Sequence, residues 1–334
     1  MNFCATLGVD VSKEWLDLCL IKDGAKVWQG QIDNCKTDIR ATLTTLRKSF
    51  DVTLSQMLVV MESTGVYGNL LLEVLWAKKV PTWVEHASHI KSSSGMTRGK
   101  NDAIDAERIA IYGVRFQDKA RLWTPPRDVI RKLSVMASLR SRLIRAKTML
   151  TLPMKELNSF SKPEMACLVS ENSTPVIEQI NERIKNIDKQ IQQIIEQDAQ
   201  VSRKVDQITS VKGVGMVTAV ALMIETNEFT KYENAKKLAC AAGVAPFEYS
   251  SGLYKGKRHV SPRANKRIKT LLHQCARSAI AVPGELSDYY CRKVAEGKHK
   301  MSVLNAVRNK ILHRIFALVR DDTMYDPNFQ HMIA

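Results

Sequence analysis

The chain has no apolar run near the ~18–20 residues that a membrane span requires; Val217 to Ile224 is about the longest. Met1-Asn2-Phe3-Cys4 shows no basic stretch leading into a long apolar core, so no secretory signal is expected. There is no C-x-x-C pair among the seven cysteines, an odd number. That argues against a disulfide frame or a zinc site and for reduced thiols in the cytoplasm. Acids are scarce: 34 Asp+Glu face 50 Lys+Arg, a formal net charge of +16. A field of that sign makes a polyanion the default partner, without choosing between DNA and RNA. Hydrophobic residues, at 45%, are present in ordinary amount, which excludes wholesale disorder, and 334 residues suggest about two domains.

Strands dominate the start. Phe3 to Val9, Trp15 to Ile21 and Lys26 to Ile32 read as three antiparallel strands, the last two joined by the hairpin signal Lys22-Asp23-Gly24. Ile39, Leu43, Leu46 and Phe50 recur at helical spacing, and Met57 to Met61 is a compact apolar run that predicts a buried strand ending at Glu62. A helix over Tyr67 to Lys79, a strand over Val80 to Glu85, a loop at Ser92-Ser93-Ser94-Gly95 and a helix from about Asn101 complete the series. The order β-β-β-α-β-α-β-α is that of the α/β ribonuclease H-like (RuvC-like) fold.

Trp123-Thr124-Pro125-Pro126 marks a break, because paired prolines fit neither a helix interior nor a central strand. Three domains are expected: 1–124, a basic helix with a coiled-coil arm over 125–206, and a mostly α-helical 207–334. The arm's first helix, Val129 to Leu157, carries Arg131, Arg140, Arg142, Arg145 and Lys147 with almost no acids, as a nucleic-acid-binding helix would. Pro163 and Ser173-Thr174-Pro175 read as a turn into the next element. There Ile177, Ile180, Ile184, Ile187, Ile191 and Ile194 form a heptad seam, which suits either a hairpin closing on the preceding helix or an intermolecular coiled coil. Farther on, Val211-Lys212-Gly213-Val214-Gly215 resembles a helix-hairpin-helix turn. Its glycines let backbone N–H groups approach a phosphate, beside Lys212; the alternative is a tight turn between packed helices.

Two constellations carry chemistry. Asp10 and Glu62 end strands that are neighbours in this fold, and Asp102 and Asp105 lie i, i+3 on one helix face. Four converging carboxylates are costly unless cations neutralise them, and hard Mg²⁺ (or Mn²⁺) suits oxygen ligands and phosphodiester chemistry. Taken singly, Asp10 and Asp102 can equally cap a turn or a helix, and Glu62 can face solvent. Asp17, Asp23 and Glu107 read as surface acids. The second constellation is Ser250-Ser251-Gly252, read as a loop, followed by Lys255, Lys257, Arg258, Arg263, Lys266 and Arg267 with no acid before Glu285. These bases can hold a phosphate backbone, and a hydroxyl there can bind a phosphate or attack it. His86, His89, His259, His273 and His313 lack metal-ligand spacing and read as packing or phosphate contacts.

Gly8-Val9-Asp10-Val11-Ser12-Lys13-Glu14, Glu62-Ser63-Thr64-Gly65-Val66-Tyr67 and Lys100-Asn101-Asp102-Ala103-Ile104-Asp105-Ala106 resemble the successive motifs of the DEDD-type bacterial insertion-sequence transposases, relatives of the Piv/MooV DNA invertases. Val211 to Gly215, Ala242-Gly243-Val244-Ala245-Pro246, Tyr249-Ser250-Ser251-Gly252 and Asn305-Ala306-Val307-Arg308-Asn309-Lys310 resemble that family's C-terminal landmarks, so the likeness spans the chain in order. The resemblance implies Mg²⁺ at Asp10, Glu62, Asp102 and Asp105, and a serine nucleophile at Ser251, with Ser250 as the off-by-one alternative. It also implies donor and target DNA as substrates, a structured noncoding bridge RNA as guide, a covalent phosphoserine intermediate, and a dimer or tetramer built on the isoleucine arm. The rival readings are a Holliday-junction-type resolvase using metal-activated water and a non-catalytic RNA- or DNA-binding scaffold.

Overall fold

The structure is a computed structural model describing residues 3–93, 102–248, 250–251, 254–256, 259–262 and 264–326, with Asn158, Tyr254 and Lys255 described by their backbone alone. The chain divides into two compact units, Met1–Pro125 and Pro126–Ala334, and the division falls between the two prolines.

In the first unit β1 (Ala5–Val11), β2 (Trp15–Lys22) and β3 (Ala25–Asp33) form an antiparallel meander. Then come α1 (Lys36–Ser49), β4 (Met57–Glu62), α2 (Asn69–Ala77), β5 (Thr82–Glu85), α3 (Ala87–Ser93) and α4 (Asp102–Arg115). The β2–β3 turn places Asp23 and Gly24 at φ 49° and 80°, the left-handed pair of a type I′ hairpin. The sheet order is β3-β2-β1-β4-β5, with β4 parallel to β1 and β5 parallel to β4, which is the ribonuclease H-like topology expected.

Strand alternation decides what faces where. Ala5, Leu7, Val9 and Val11 of β1 enter a core shared with α1 and α2, so Gly8 and Asp10 point to the opposite face, under α4. In β4, Met57, Val59 and Met61 enter the first core, whereas Leu58 and Val60 pack with Ile109 and Tyr112 of α4. A strand buried on both faces reads as an unbroken apolar run, which is why residues 57–61 do not alternate. By the same alternation Glu62 emerges on the α4 face.

Two glycines let α4 lie close to the sheet. A Cβ on Gly8 would collide with the Ala106 carbonyl oxygen and the Ala110 nitrogen, and one on Gly113 would come within 2.6 Å of Thr6 Cγ2 and Val60 Cγ2. Gly8→Ala is therefore expected to push α4 outward and to cost roughly 1–3 kcal/mol, the range typical of overpacking. Urea unfolding would measure it; an unchanged midpoint would show that α4 does not need this approach. The serine loop expected at residues 92–95 is corrected in part: Ser92 and Ser93 end α3, with hydroxyls donating to the Ser88 and Ile90 carbonyls at 2.7 Å. Ser94, Gly95 and Asn101 lie outside the described residues.

The second unit opens with a helical hairpin, α5 (Asp128–Phe160) and α6 (Pro163–Glu196), each roughly 50 Å long at helical rise. It continues with α7 (Ala199–Ser210), α8 (Met216–Thr226), α9 (Ala235–Ala241), the two-residue strands β6 (Pro246–Phe247), β7 (Ser250–Ser251), β8 (Tyr254–Lys255) and β9 (His259–Val260), then α10 (Lys266–Ile280), α11 (Glu285–Ala295) and α12 (Lys300–Arg320). Pro163 starts α6 at its first turn, where its missing N–H costs nothing. Ser173-Thr174-Pro175 is not a turn; it lies inside α6. One forfeited backbone bond there is outweighed by long helix-forming sequence on both sides. Of the isoleucine seam, Ile187 and Ile191 are buried, as is Ile195 rather than Ile194, in a core with Ile130, Leu133 and Ala137 of α5. The inner end of the seam thus closes within the chain. Toward the tip Met149 is 74%, Phe160 90% and Leu168 63% exposed. Among the described residues no helix is long and apolar enough to cross a membrane.

Candidate functional site

Asp10 stands one residue beyond the Val9–Met61 pair that ends the β1–β4 register, and Glu62 is the last residue of β4. Parallel strands bring the two carboxylates side by side on the α4 face. The close passage of α4 over Gly8 sets its first turn, which holds Asp102 and Asp105, above the same strand ends. The electrostatics report the convergence. Burial first, then the charges of Asp102, Glu62 and Asp105, raise the Asp10 pKa from 3.8 to about 6. Burial also raises Glu62, with Asp105 adding to it and Lys91 and His86 opposing it.

Asp105 accepts a bond from Arg108 Nη1 at 2.7 Å, which turns one oxygen toward its own helix. In this arrangement no three His, Cys, Asp or Glu side chains among the described residues enclose a common metal position. The donor set nonetheless fits a hard divalent cation: it is all carboxylate oxygen, and burial together with the charges of Asp102, Glu62 and Asp105 raises the Asp10 pKa to about 6, a shift that a bound cation would oppose. Lys91 and His86 are residues that sequence reading did not bring to this edge.

Two further acids belong to the same face. Asp17, expected at the surface, is only 6% exposed; it lies opposite Asp10 in the β1–β2 register and accepts from Gln31 Nε2 at 3.2 and 3.3 Å. Glu85, the parallel neighbour of Glu62, accepts from Tyr112 Oη at 3.2 Å and pairs with His89 Nδ1 at 2.9 Å. Burial and then the Glu85 charge push Tyr112 up to about 12. The alternation Trp83, Glu85 carries the signal that would have found it. Asp23 is exposed in its hairpin turn, and Glu107 pairs with Lys26 at 2.7 Å.

The expected phosphate contacts divide. Arg140 chelates Asp188 across the hairpin (Nε 2.6 Å, Nη2 3.2 Å), so it staples α5 to α6. Arg131 is paired with Asp128, and Arg145 reaches back to the Ser141 carbonyl at 3.4 Å. Arg142 is exposed and Lys147 half-buried. In the glycine turn Lys212 is exposed. Gly213 has φ 88° and its Cα hydrogen side faces α10, where a Cβ would lie 2.7 Å from the Ala279 nitrogen and the Cys275 oxygen. Gly213 therefore serves the packed turn. Gly215 has open space around it at the N-terminus of α8, where backbone N–H groups can meet a phosphate. Lys266 and Arg267 are exposed on the first turn of α10. Lys257, Arg258 and Arg263 lie outside the described residues, and of Lys255 only the backbone is described.

Ser250 and Ser251 form strand β7 instead of a loop, paired with β8 so that Ser250 opposes Lys255 and Ser251 opposes Tyr254. Both are exposed. Because successive strand residues point to opposite faces, the two hydroxyls serve different sides of the hairpin. Tyr249 and Gly252 lie outside the described residues.

Two family models match the chain, one described as a DEDD-type transposase over residues 7–157 and one as "Transposase IS116/IS110/IS902 family" over residues 205–291. The chain belongs to the IS110/IS116/IS902 transposase family. The four acids fall within the first match and both serines within the second. The transposase is 24% identical to the pilin gene-inverting protein of Moraxella bovis over 96% of its own length and 97% of that protein's. It is 24% identical to the transposase for insertion sequence element IS1111A of Coxiella burnetii, over 96% of this chain and 90% of that protein. It is 30% identical to the insertion element IS116 uncharacterized 44.8 kDa protein of Streptomyces clavuligerus, where the match spans 44% of this chain but 36% of the relative. Among solved structures, T. thermophilus RuvC in complex with Holliday junction substrate aligns with TM-score 0.28 and 11% identity, over 36% of this chain and 99% of that one.

Proposed function

We propose that this transposase cuts and rejoins DNA by serine–phosphodiester exchange, with Mg²⁺ or Mn²⁺ held by Asp10, Glu62, Asp102 and Asp105, and with sites chosen by a structured noncoding RNA of the element. The observation that carries the reading is the meeting of four carboxylates on one sheet face, with Asp10 driven to about 6. A divalent metal held by these carboxylates would supply positive charge to the phosphodiester undergoing displacement. Ser251 Oγ attacks the phosphorus, a P–Oγ bond forms as one P–O bond to deoxyribose breaks, the Oγ proton is lost to solvent and the released hydroxyl takes one up. Attack by another strand's hydroxyl reverses the exchange. One ester replaces another, so no nucleotide is consumed. Lys266, Arg267 and the open Gly215 turn hold the backbone without reading sequence, a task that suits delegation to base pairing.

The test is recombination of plasmid-borne donor and target sites with the purified protein, Mg²⁺ and the RNA transcribed from the element's flank. The expected result is joined product that disappears with EDTA or ribonuclease, and protein covalently attached to DNA on a denaturing gel. Recombination insensitive to ribonuclease would remove the guide; cleaved strands with free ends would favour the resolvase reading. The exposed Met149, Phe160 and Leu168 suit self-association at the hairpin tip. Phe160→Glu with Leu168→Glu is expected to halve the sedimenting mass or more while leaving thermal stability unchanged; an unchanged mass would place the oligomer contact elsewhere.

A further inference from the structure

Arg308 of α12 is only 6% exposed, yet it has no carboxylate partner among the described residues. Its Nη2 lies 2.6 Å from His273 Nδ1, its Nη1 lies 3.4 Å from Asn305 Oδ1, and its Nε is buried with no partner among the described residues. A guanidinium has donors and no acceptor, so this contact fixes the imidazole. Nδ1 must be the bare nitrogen that accepts, and the ring hydrogen must sit on Nε2, which bonds to nothing among the described residues. Burial, then Arg308 on α12 and Arg277 on His273's own helix, lower the His273 pKa, so the ring is neutral at physiological pH. His273 is thus a neutral donor whose tautomer is set from behind.

Its position suits a phosphate. Lys269, His273 and Arg277 follow one another at i, i+4 on α10, with about 6 Å of rise between each. No Asp or Glu occurs between Glu248 and Glu285 in the sequence, and Glu225 of α8 reaches the start of α10, where it accepts from Asn265 Nδ2 at 2.8 Å. The same pair also stands at the foot of the serine-bearing segment: Asn305, which Arg308 contacts, donates Nδ2 to the Val244 carbonyl at 2.8 Å, six residues before Ser250.

We propose that His273 is a nucleic-acid phosphate contact acting through Nε2–H, with Arg308 as the residue that positions it. This rests on the DNA-binding reading above and adds a residue to it. A neutral donor adds affinity without releasing a counterion, whereas each Lys or Arg contact contributes about 0.9 to the slope of log K against log salt. With a random-sequence DNA duplex as probe, His273→Ala is expected to weaken binding about 3–10-fold at pH 7.5 with the salt slope unchanged, and His273→Gln to restore most of it. Lys269→Gln and Arg277→Gln should each lower the slope by about 0.9. Arg308→Gln removes one of the two cations that oppose protonation of the ring while burial and Arg277 remain, so binding should tighten more between pH 8 and pH 6 in that variant than in wild type. A slope that falls in His273→Ala, or affinity that does not change, overturns the proposal. An independent arm uses inorganic phosphate and ¹⁵N imidazole resonances of the intact protein. A saturable shift at Nε2 of a Nδ1-bare ring is expected; a Nδ1-protonated ring, or no response, overturns the proposal even if the chain binds no DNA. Absence of DNA binding with a positive phosphate response would instead sink the functional reading alone.

Discussion

Asp10→Asn is expected to make the metal-free protein more stable at pH 7.5 and to abolish strand cleavage. Asp10 has a pKa of about 6 in the folded chain against 3.8 when unfolded. Between those values the folded state holds a proton that the unfolded state has lost, so stability falls as pH rises through the window and is lowest above pH 6. Carried in full, the displacement would amount to ~3 kcal/mol; partial solvent access reduces it to about 1–2 kcal/mol. Asparagine keeps the shape and deletes the charge, and so recovers that cost at neutral pH.

The same substitution removes a ligand. Wild-type protein should gain stability from Mg²⁺, by about 2.7 kcal/mol at one hundred times Kd, because the cation binds the folded cluster and not the unfolded chain. Asp10→Asn should lose most of that gain, so the two proteins change rank when Mg²⁺ is added. Calorimetry with and without the metal, beside a strand-cleavage assay, reads all three effects. If the variant is less stable than wild type without metal, or responds to Mg²⁺ equally, the carboxylates are not a strained cation site.

Much of this site was legible because the residues that build it are periodic. The apolar run of β4 announces a strand buried on both faces, the Asp23-Gly24 turn sets the hairpin, and the four acids stand at element ends. What escaped depends on pairing between distant segments. Gly8 matters because α4 passes over it, a contact 98 residues away at Ala106. Asp17 looks solvent-facing in an alternating strand, yet its outward face is the one α4 covers. Pro175 reads as a break because a local rule disfavours it, and the long helix overrides that rule. Arg140 counts as a free base until Asp188 is brought opposite by the hairpin. Charge, burial and partner are tertiary properties, and each of these errors assigned one of them from local sequence.

Ser251→Ala is expected to reduce covalent protein–DNA adduct at least about 10³-fold, as loss of a nucleophile does, while DNA binding persists. Ser250→Ala should retain adduct within a few-fold of wild type. The two substitutions are a sharper pair than adjacency suggests. Both hydroxyls are exposed and both sit on β7, so accessibility does not separate them, but the pleat aims them to opposite faces of the β7–β8 hairpin. A phosphate approaching one face meets one hydroxyl. Partial loss in both variants would contradict that geometry and imply that the hairpin rearranges when DNA binds. Adduct lost in Ser250→Ala and kept in Ser251→Ala would move the nucleophile to the opposite face of the hairpin. If wild type forms no adduct yet cleaves, neither serine is the nucleophile, water takes its place, and the basic segment keeps only the role of holding the backbone.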